Sequence, residues 1–310
     1  MRILVMGAGG VGGYFGAKLA CAGNEVGFIA RGNHLSAIRD RGLKVICGET
    51  VISVRPAFAS DNPSDFGMAD IVLFCVKTFD AFDAAKAIRP NIDTSTGVIP
   101  LLNGIGHMQV LERAIDKAHL LGGVANISAL IEAPGVIRRF GDIQILRFGE
   151  MDDILSPRVL AFRKACIEAG FEAPAPKSIQ REMWQKVIMI CALAGVNCLT
   201  RLPLGICRSN PHTRKFMQAL VREAIEVANA IGVPLPPDQE TRTMVLLDKL
   251  PSDMKASMLA ALERGQRLEA SAFSGAIDQL GKENGVSTLA HRAVYSALAP
   301  HEQGATYLRD

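Results

Sequence analysis

The stretch Arg2-Ile-Leu-Val-Met-Gly-Ala-Gly-Gly-Val-Gly-Gly13 constrains this chain more than any other. Four apolar residues, Ile3 to Met6, predict a short buried strand. Gly7, Gly9 and Gly12 then fall at the G-x-G-x-x-G spacing, and a helical pattern runs over Val11–Ala22. Gly7 permits the tight turn out of the strand. Gly9 lets a dinucleotide pyrophosphate approach the backbone, and Gly12 lets the helix pack close to the sheet. The helix N-terminus offers free N–H groups and a positive dipole end to the phosphates. Lying between a strand and a helix, the motif predicts a dinucleotide-binding turn.

The rest of the first half fits that start. Strands are expected at Ile3–Met6, Glu25–Ala30, Leu43–Cys47, Ile71–Lys77 and Val98–Leu102, with helices at Asn33–Arg41 and Phe79–Ile88. Buried strands alternating with helices argue for a parallel sheet covered on both faces. Segments Gly122–Ile131, Gly135–Phe140 and Gln144–Phe148 are expected to extend that sheet. Ser156 and Pro157 read as the N-cap and first residue of a helix reaching Ala169. Two prolines in Glu172-Ala-Pro-Ala-Pro-Lys-Ser178 mark an extended connector. Beyond it the strand signal fades into helices at Ile179–Leu199, Asn210–Ile231, Pro237–Leu247, Asp253–Leu262 and Glu269–Asn284. The expected architecture is α/β: a Rossmann-type dinucleotide-binding domain over 1–176 and an all-helical domain over 177–310. In such a design the ligand lies in the cleft, outside the carboxyl ends of the strands.

Composition narrows the partners. The chain is 310 residues long, 49% hydrophobic and 21% charged, with a net charge of only +3. It has no basic block with interleaved aromatics, which argues against nucleic acid. The apolar run Val187–Leu199 is too short to span a bilayer and reads as a buried helix. Seven scattered cysteines without a C-x-x-C pair predict reduced thiols in a cytoplasmic protein, with no disulfide framework and no zinc site. The six histidines show no metal-ligand spacing and read as structural or exposed.

Strand ends carry the candidate chemistry. The second strand ends Phe28-Ile-Ala-Arg31, with no acid at its tip to hold a ribose 2′-hydroxyl. Arg31 is placed instead to meet a 2′-phosphate, so the expected cofactor is NADPH rather than NADH. Lys77 closes the apolar strand Ile71-Val-Leu-Phe-Cys-Val-Lys77 and Asn103 closes the run Val98-Ile-Pro-Leu-Leu-Asn103, so both are expected near the nicotinamide end; each reads equally well as a strand-end residue meeting water. Lys186 has Met189, Ile190, Leu193 and Ala194 as its helical neighbours, an apolar face that should lower its pKa. Taken alone, it reads more readily as a lysine snorkelling to water.

Together, Gly7-Ala-Gly-Gly-Val-Gly12, Ala30-Arg31, Val76-Lys77, Asn103-Gly104-Ile-Gly106, Glu182-Met-Trp184-Gln-Lys186, Ser257-Met-Leu259 and Glu269 six residues ahead of Gly275 resemble the ketopantoate reductases (2-dehydropantoate 2-reductases) over essentially the whole length. The resemblance implies a Rossmann domain followed by a helical domain. It implies NADPH-dependent reduction of a 2-oxo acid, 2-dehydropantoate to pantoate in pantothenate biosynthesis. It makes Lys186 the general acid and Glu269 a carboxylate that contacts a substrate hydroxyl. Asn103 and Ser257 hold substrate. Gly7, Gly9, Gly10, Val11, Gly12, Arg31, Lys77 and Asn103 line the cofactor. A homodimer is consistent with it.

The same resemblance exposes a departure. The family carries asparagines one and two helical turns beyond its lysine, where this chain has Ile190 and Ala194. Asn197, nearly in phase after three turns, lies about 16 Å along the axis and does not replace them. Ser274 and Ser271 also stand where the family has asparagine and an acid. Three functions fit the sequence: a reductase of 2-dehydropantoate, a reductase of the same fold acting on a less polar 2-oxo acid or ketone, and an NADPH-binding regulatory protein with little turnover.

Overall fold

A computed structural model describes residues 1–305; the last five residues of the expected helical domain lie outside them. The chain forms two compact units. The first contains Met1–Leu102 and Met108–Ile179; the second contains Asn103–His107 and the chain from Gln180 onward.

The first unit is built on β1 (Arg2–Met6), α1 (Gly10–Cys21), β2 (Glu25–Ile29), α2 (Gly32–Arg41), β3 (Leu43–Cys47), β4 (Thr50–Val54), β5 (Phe58–Ser60), β6 (Ile71–Phe74), α3 (Ala81–Ala87) and β7 (Gly97–Pro100). After these come α4 (His107–Glu112), β8 (Leu121–Ala133), β9 (Val136–Glu150) and α5 (Pro157–Glu168). Five strands make a parallel sheet in the order β5-β2-β1-β6-β7. The chain runs from β1 outward on one side, then returns to lay β6 on the other. That reversal opens a crevice beyond the carboxyl ends of β1 and β6.

Residues Leu43–Cys47 and Gly122–Phe148 do not join this sheet as expected. They build a second, four-stranded sheet in the order β4-β3-β9-β8, in which β3 and β9 are parallel and the other two pairs antiparallel. The three short segments expected over Gly122–Phe148 are one long hairpin. Helix α1 lies between the two sheets, and small residues make this possible. A Cβ at Gly12 would meet Gly7 O at 2.3 Å and Val5 Cγ1 at 2.8 Å, while one at Gly10 would meet Ala129 O of β8 at 2.2 Å. Apolar side chains fill both sides of α1, among them Val5, Phe15, Phe28, Ile137 and Leu146, all fully buried. At α5, Ser156 caps as expected, its Oγ accepting Val159 N–H at 3.3 Å.

The second unit is helical among the described residues: α6 (Ile179–Thr200, whose first residue belongs to the first unit), α7 (Leu204–Ser209), α8 (Pro211–Ala230), α9 (Gln239–Lys249), α10 (Ser257–Glu263), α11 (Ser274–Glu283) and α12 (Leu289–Leu298). The apolar run in α6 is a core element. Val187, Ile188, Cys191 and Ala192 bury themselves against Leu220, Val221 and Ala224 of α8 and Val294 of α12. A helix apolar on nearly all sides belongs in such a core. Helix α8 begins where Asn210 Oδ1 accepts the N–H groups of His212 (2.9 Å) and Thr213 (3.3 Å), with Pro211 in the first turn.

Candidate active site

In the first unit, a cavity of about 240 Å³ opens at the crevice beyond β1 and β6. Gly7, Ala8 and Gly9 form its floor; Arg31 and His34 stand on the α2 side, Lys77 and Asp80 on the β6 side, and Ile131 comes from β8. Gly7 has φ +101°, and a Cβ there would meet the Cys75 and Val76 backbone at 3.0 Å. Nothing lies within 4 Å of where a Cβ would stand on Gly9, the N-cap of α1, so the turn is bare on that side. Gly9 provides no side-chain cap, and no acid occupies the first turn. A twelve-residue helix thus starts directly from the bare turn that lines the cavity, and the floor fits the pyrophosphate of a dinucleotide.

Arg31 is exposed and caps α2 with extended backbone. No acidic side chain lines the α2 side of the cavity. Lys77 is not the last residue of a strand, as the sequence predicts. β6 ends at Phe74, and Lys77 precedes a short 3-10 turn, Thr78–Asp80, that brings it to the rim. Gly10, Val11 and Gly12 belong to α1 and do not line the cavity. Gly10 instead sits against β8, so whatever it gives a ligand comes from its backbone.

The second unit gathers the other candidates. Asn103 also lies beyond its strand, since β7 ends at Pro100. Residues 103–107 leave the sheet and dock on the chain before α11, where Ile105 N–H donates to Ala272 O (3.2 Å). Gly104 has φ +84°, and a Cβ there would strike Ala272 O at 2.2 Å, so only glycine lets the segment approach. Two residues before Ala270–Ala272 lies Leu268, bonded through its N–H to Glu302 O (3.1 Å), and Glu269 between them is buried. Asn103 is half-buried, and Ser257, the first residue of α10, is exposed.

Lys186 sits half-buried on α6 between the buried Met183, Trp184, Val187 and Ile188. Burial pulls its ammonium down to about 8. His107, in the segment that carries Asn103, is 2% exposed, and neither ring nitrogen has a hydrogen-bond partner among the described residues. Burial, with the Lys186 charge as a smaller cause, pushes His107 down to about 4. A neutral imidazole is therefore Lys186's neighbour, and its ring adds no second cation beside the ammonium.

On α6, Ile190 and Ala194 follow Lys186 at helical spacing; Ile190 is half-buried and Ala194 is 2% exposed. Ser274 is buried and paired with His291 Nδ1 (3.1 Å), whose Nε2 meets Leu220 O (2.9 Å). Ser271 is exposed, and its N–H donates to Glu302 Oε1 (2.6 Å). Neither His34 nor His107 stands out in the sequence. His34 is detectable there only as the polar residue one turn beyond Arg31, and His107 only as the residue closing the Asn-Gly-Ile-Gly turn.

Comparison with known proteins identifies one family for the chain as a whole. The model for ketopantoate reductase PanE/ApbA matches residues 3–153, and that for its C-terminal part matches residues 178–302. An uncharacterised oxidoreductase, YkpB, of Bacillus subtilis is 29% identical over 302 residues, covering 97% of this chain and 99% of its own. A 2-dehydropantoate 2-reductase of Archaeoglobus fulgidus is 29% identical over 304 residues, 98% of each chain. The crystal structure of a PanE/ApbA family ketopantoate reductase from Ralstonia eutropha superposes with a TM-score of 0.87 at 29% identity, covering 97% of this chain and 98% of that one.

Proposed function

The chain belongs to the ketopantoate reductase PanE/ApbA family, and on that premise we propose that it reduces a 2-oxo acid to the 2-hydroxy acid with NADPH, with 2-dehydropantoate as the first substrate to test. The observation that carries the reading is Lys186: a lysine on a core helix whose pKa is brought down to about 8. A group of that pKa is protonated at neutral pH and still gives up its proton readily, as a general acid must.

When bound, NADPH supplies the hydride. The bare turn at Gly9 and the N-terminus of α1 would hold the pyrophosphate, Arg31 would pair with the 2′-phosphate by charge-assisted hydrogen bonds, and Lys77 would line the nicotinamide end. Lys186 faces the carbonyl oxygen, stabilises the negative charge that develops there and donates its proton to it. Asn103 and Ser257 bind the substrate, and Glu269 accepts a hydrogen bond from a substrate hydroxyl.

A second reading rests on a specific observation. Ile190 and Ala194 extend the Lys186 stripe with apolar side chains, and Ser274 spends its hydroxyl on His291. This favours a 2-oxo acid less polar beyond C2. The deciding experiment follows loss of NADPH absorbance with a panel of 2-oxo acids. Turnover best with 2-dehydropantoate supports the first reading, and turnover best with an aliphatic or aromatic 2-oxo acid supports the second. Tight NADPH binding without turnover on any of them overturns both and leaves a regulatory role.

A further inference from the structure

His34 stands in the first turn of α2 and joins two distant parts of the first unit. Gly135 N–H, in the turn between β8 and β9, donates to His34 Nδ1 at 3.0 Å. Nδ1 is thus an acceptor, which leaves the proton on Nε2. Nε2–H then donates to Ala8 O at 2.8 Å, in the middle of the Gly7-Ala8-Gly9 floor. The hairpin turn is held from a second side as well, since Lys44 N–H donates to Gly135 O at 2.9 Å. An imidazole with both ring nitrogens satisfied therefore ties the floor of the cavity to the hairpin whose residue Ile131 forms one wall.

The tie fixes a direction as well as a distance. The peptide unit is planar and trans, so the Ala8 carbonyl and the Gly9 N–H point opposite ways. Holding Ala8 O on the α2 side turns Gly9 N–H away from α2, at a residue of the cavity floor. We propose that His34 is a positioning residue for the dinucleotide, which orients the Ala8–Gly9 peptide for the pyrophosphate and fastens the β8–β9 turn beside it. This rests on reading the cavity as a dinucleotide pocket. It goes beyond that reading by assigning a task to a residue that need not touch the ligand.

The geometry separates the two bonds. An asparagine amide reproduces the Nδ1 position and can accept from Gly135; a glutamine amide reproduces the Nε2 position and can donate to Ala8 O. NADPH and NADH share the pyrophosphate, so His34 acts on both alike, whereas Arg31 concerns the 2′-phosphate alone.

The test is a fluorescence titration of NADPH and of NADH against wild type, His34→Ala, His34→Asn and His34→Gln, with melting temperatures recorded alongside. The expected result is a Kd raised about tenfold for both nucleotides in His34→Ala, a similar rise in His34→Asn, and recovery to within about threefold in His34→Gln, against 1.4 kcal/mol per tenfold. Should the alanine variant not fold, the Asn–Gln comparison decides. Wild-type affinity in a folded Ala or Asn variant overturns the proposal, as does equal weakening in Asn and Gln. Failure of the wild type to bind either nucleotide overturns the pocket reading and this proposal with it.

Discussion

Asn197 Oδ1 accepts the backbone N–H of Ala256 at 2.9 Å across 59 residues of sequence, immediately before Ser257 opens α10. The same amide donates through Nδ2 to Leu202 O at 2.9 Å, and the side chain is fully buried. Asn197 therefore does not stand in for the family's missing asparagines. It anchors the segment that presents Ser257, from three turns further along the helix that carries Lys186.

Removing that amide takes the acceptor from the half-buried Ala256 N–H and the Asn197 donor from Leu202 O. Asn197→Ala is expected to cost about 1–3 kcal/mol of stability. It is also expected to raise KM for the 2-oxo acid more than it lowers kcat, because Ser257 loses its anchor. Thermal unfolding and steady-state kinetics check the two halves. An unchanged melting temperature shows that the network contributes nothing, and an unchanged KM shows that Ser257 is held by other means.

Arg31 is expected to set the cofactor. It stands exposed on the α2 side of the cavity, where no acidic side chain is present to take a ribose 2′-hydroxyl. NADPH should bind at least about tenfold more tightly than NADH, or about 1.4 kcal/mol. Arg31→Ala should erase most of that difference by weakening NADPH alone. Equal affinities in the wild type would refute the assignment.

Much of this arrangement is legible in the sequence. The Gly7–Gly12 spacing, the bare tip after Phe28-Ile-Ala and the change of texture after Pro176 all rest on local chemistry that a single sequence displays. The second sheet is not legible. Leu43–Cys47 and Gly122–Phe148 have strand character, but strand character does not say which strand is the partner; here α1, slimmed by glycine, leaves room for a second layer. The exits of β6 and β7 are expected too late because apolar residues continue past the last paired residue, in Cys75–Val76 and Leu101–Leu102. His34 and His107 are hidden for another reason. Their significance lies in contacts with Gly135 and near Lys186, far off in sequence.

Lys186 gives two signatures in one experiment. Lys186→Ala should lower kcat by roughly 10²- to 10⁴-fold, the usual worth of a general acid. NADPH affinity should stay close to that of the wild type. Reduction needs the ammonium form, and burial holds its pKa at about 8, so the wild-type rate should fall as pH rises through that value. A flat profile from neutrality to well above it, or wild-type turnover in the variant, would reduce Lys186 to a packing residue.

His107 and His291 make the fold acid-sensitive. Burial lowers both from 6.5 to about 4, so the native state keeps them neutral where the unfolded chain takes up protons. The stability they supply is complete above the unfolded value of 6.5 and is lost as pH falls toward 4, about 3 kcal/mol for each. The melting temperature should drop across that window. His107→Leu should lose part of the pH dependence while melting higher relative to wild type at the acid end. An identical pH slope in wild type and variant would exclude His107 as a contributor.

Ile190 and Ala194 bear on which 2-oxo acid is preferred. If they flank the reacting carbon with Lys186, the site offers no amides there to a 4-hydroxyl, and Glu269 is left to recognise it. A site built to pair a substrate hydroxyl discriminates against the analogue lacking it by about 10⁴-fold or more; a site without those partners discriminates far less. The expected wild-type ratio of kcat/KM for 2-dehydropantoate over 2-oxoisovalerate is therefore well below that figure. The Ile190→Asn/Ala194→Asn double variant should shift the ratio toward 2-dehydropantoate. Ala194 is buried against the core, so Asn there carries a packing cost, and Ile190→Asn alone should move the ratio in the same direction. A wild-type ratio above about 10⁴ would show that hydroxyl recognition is complete without either amide.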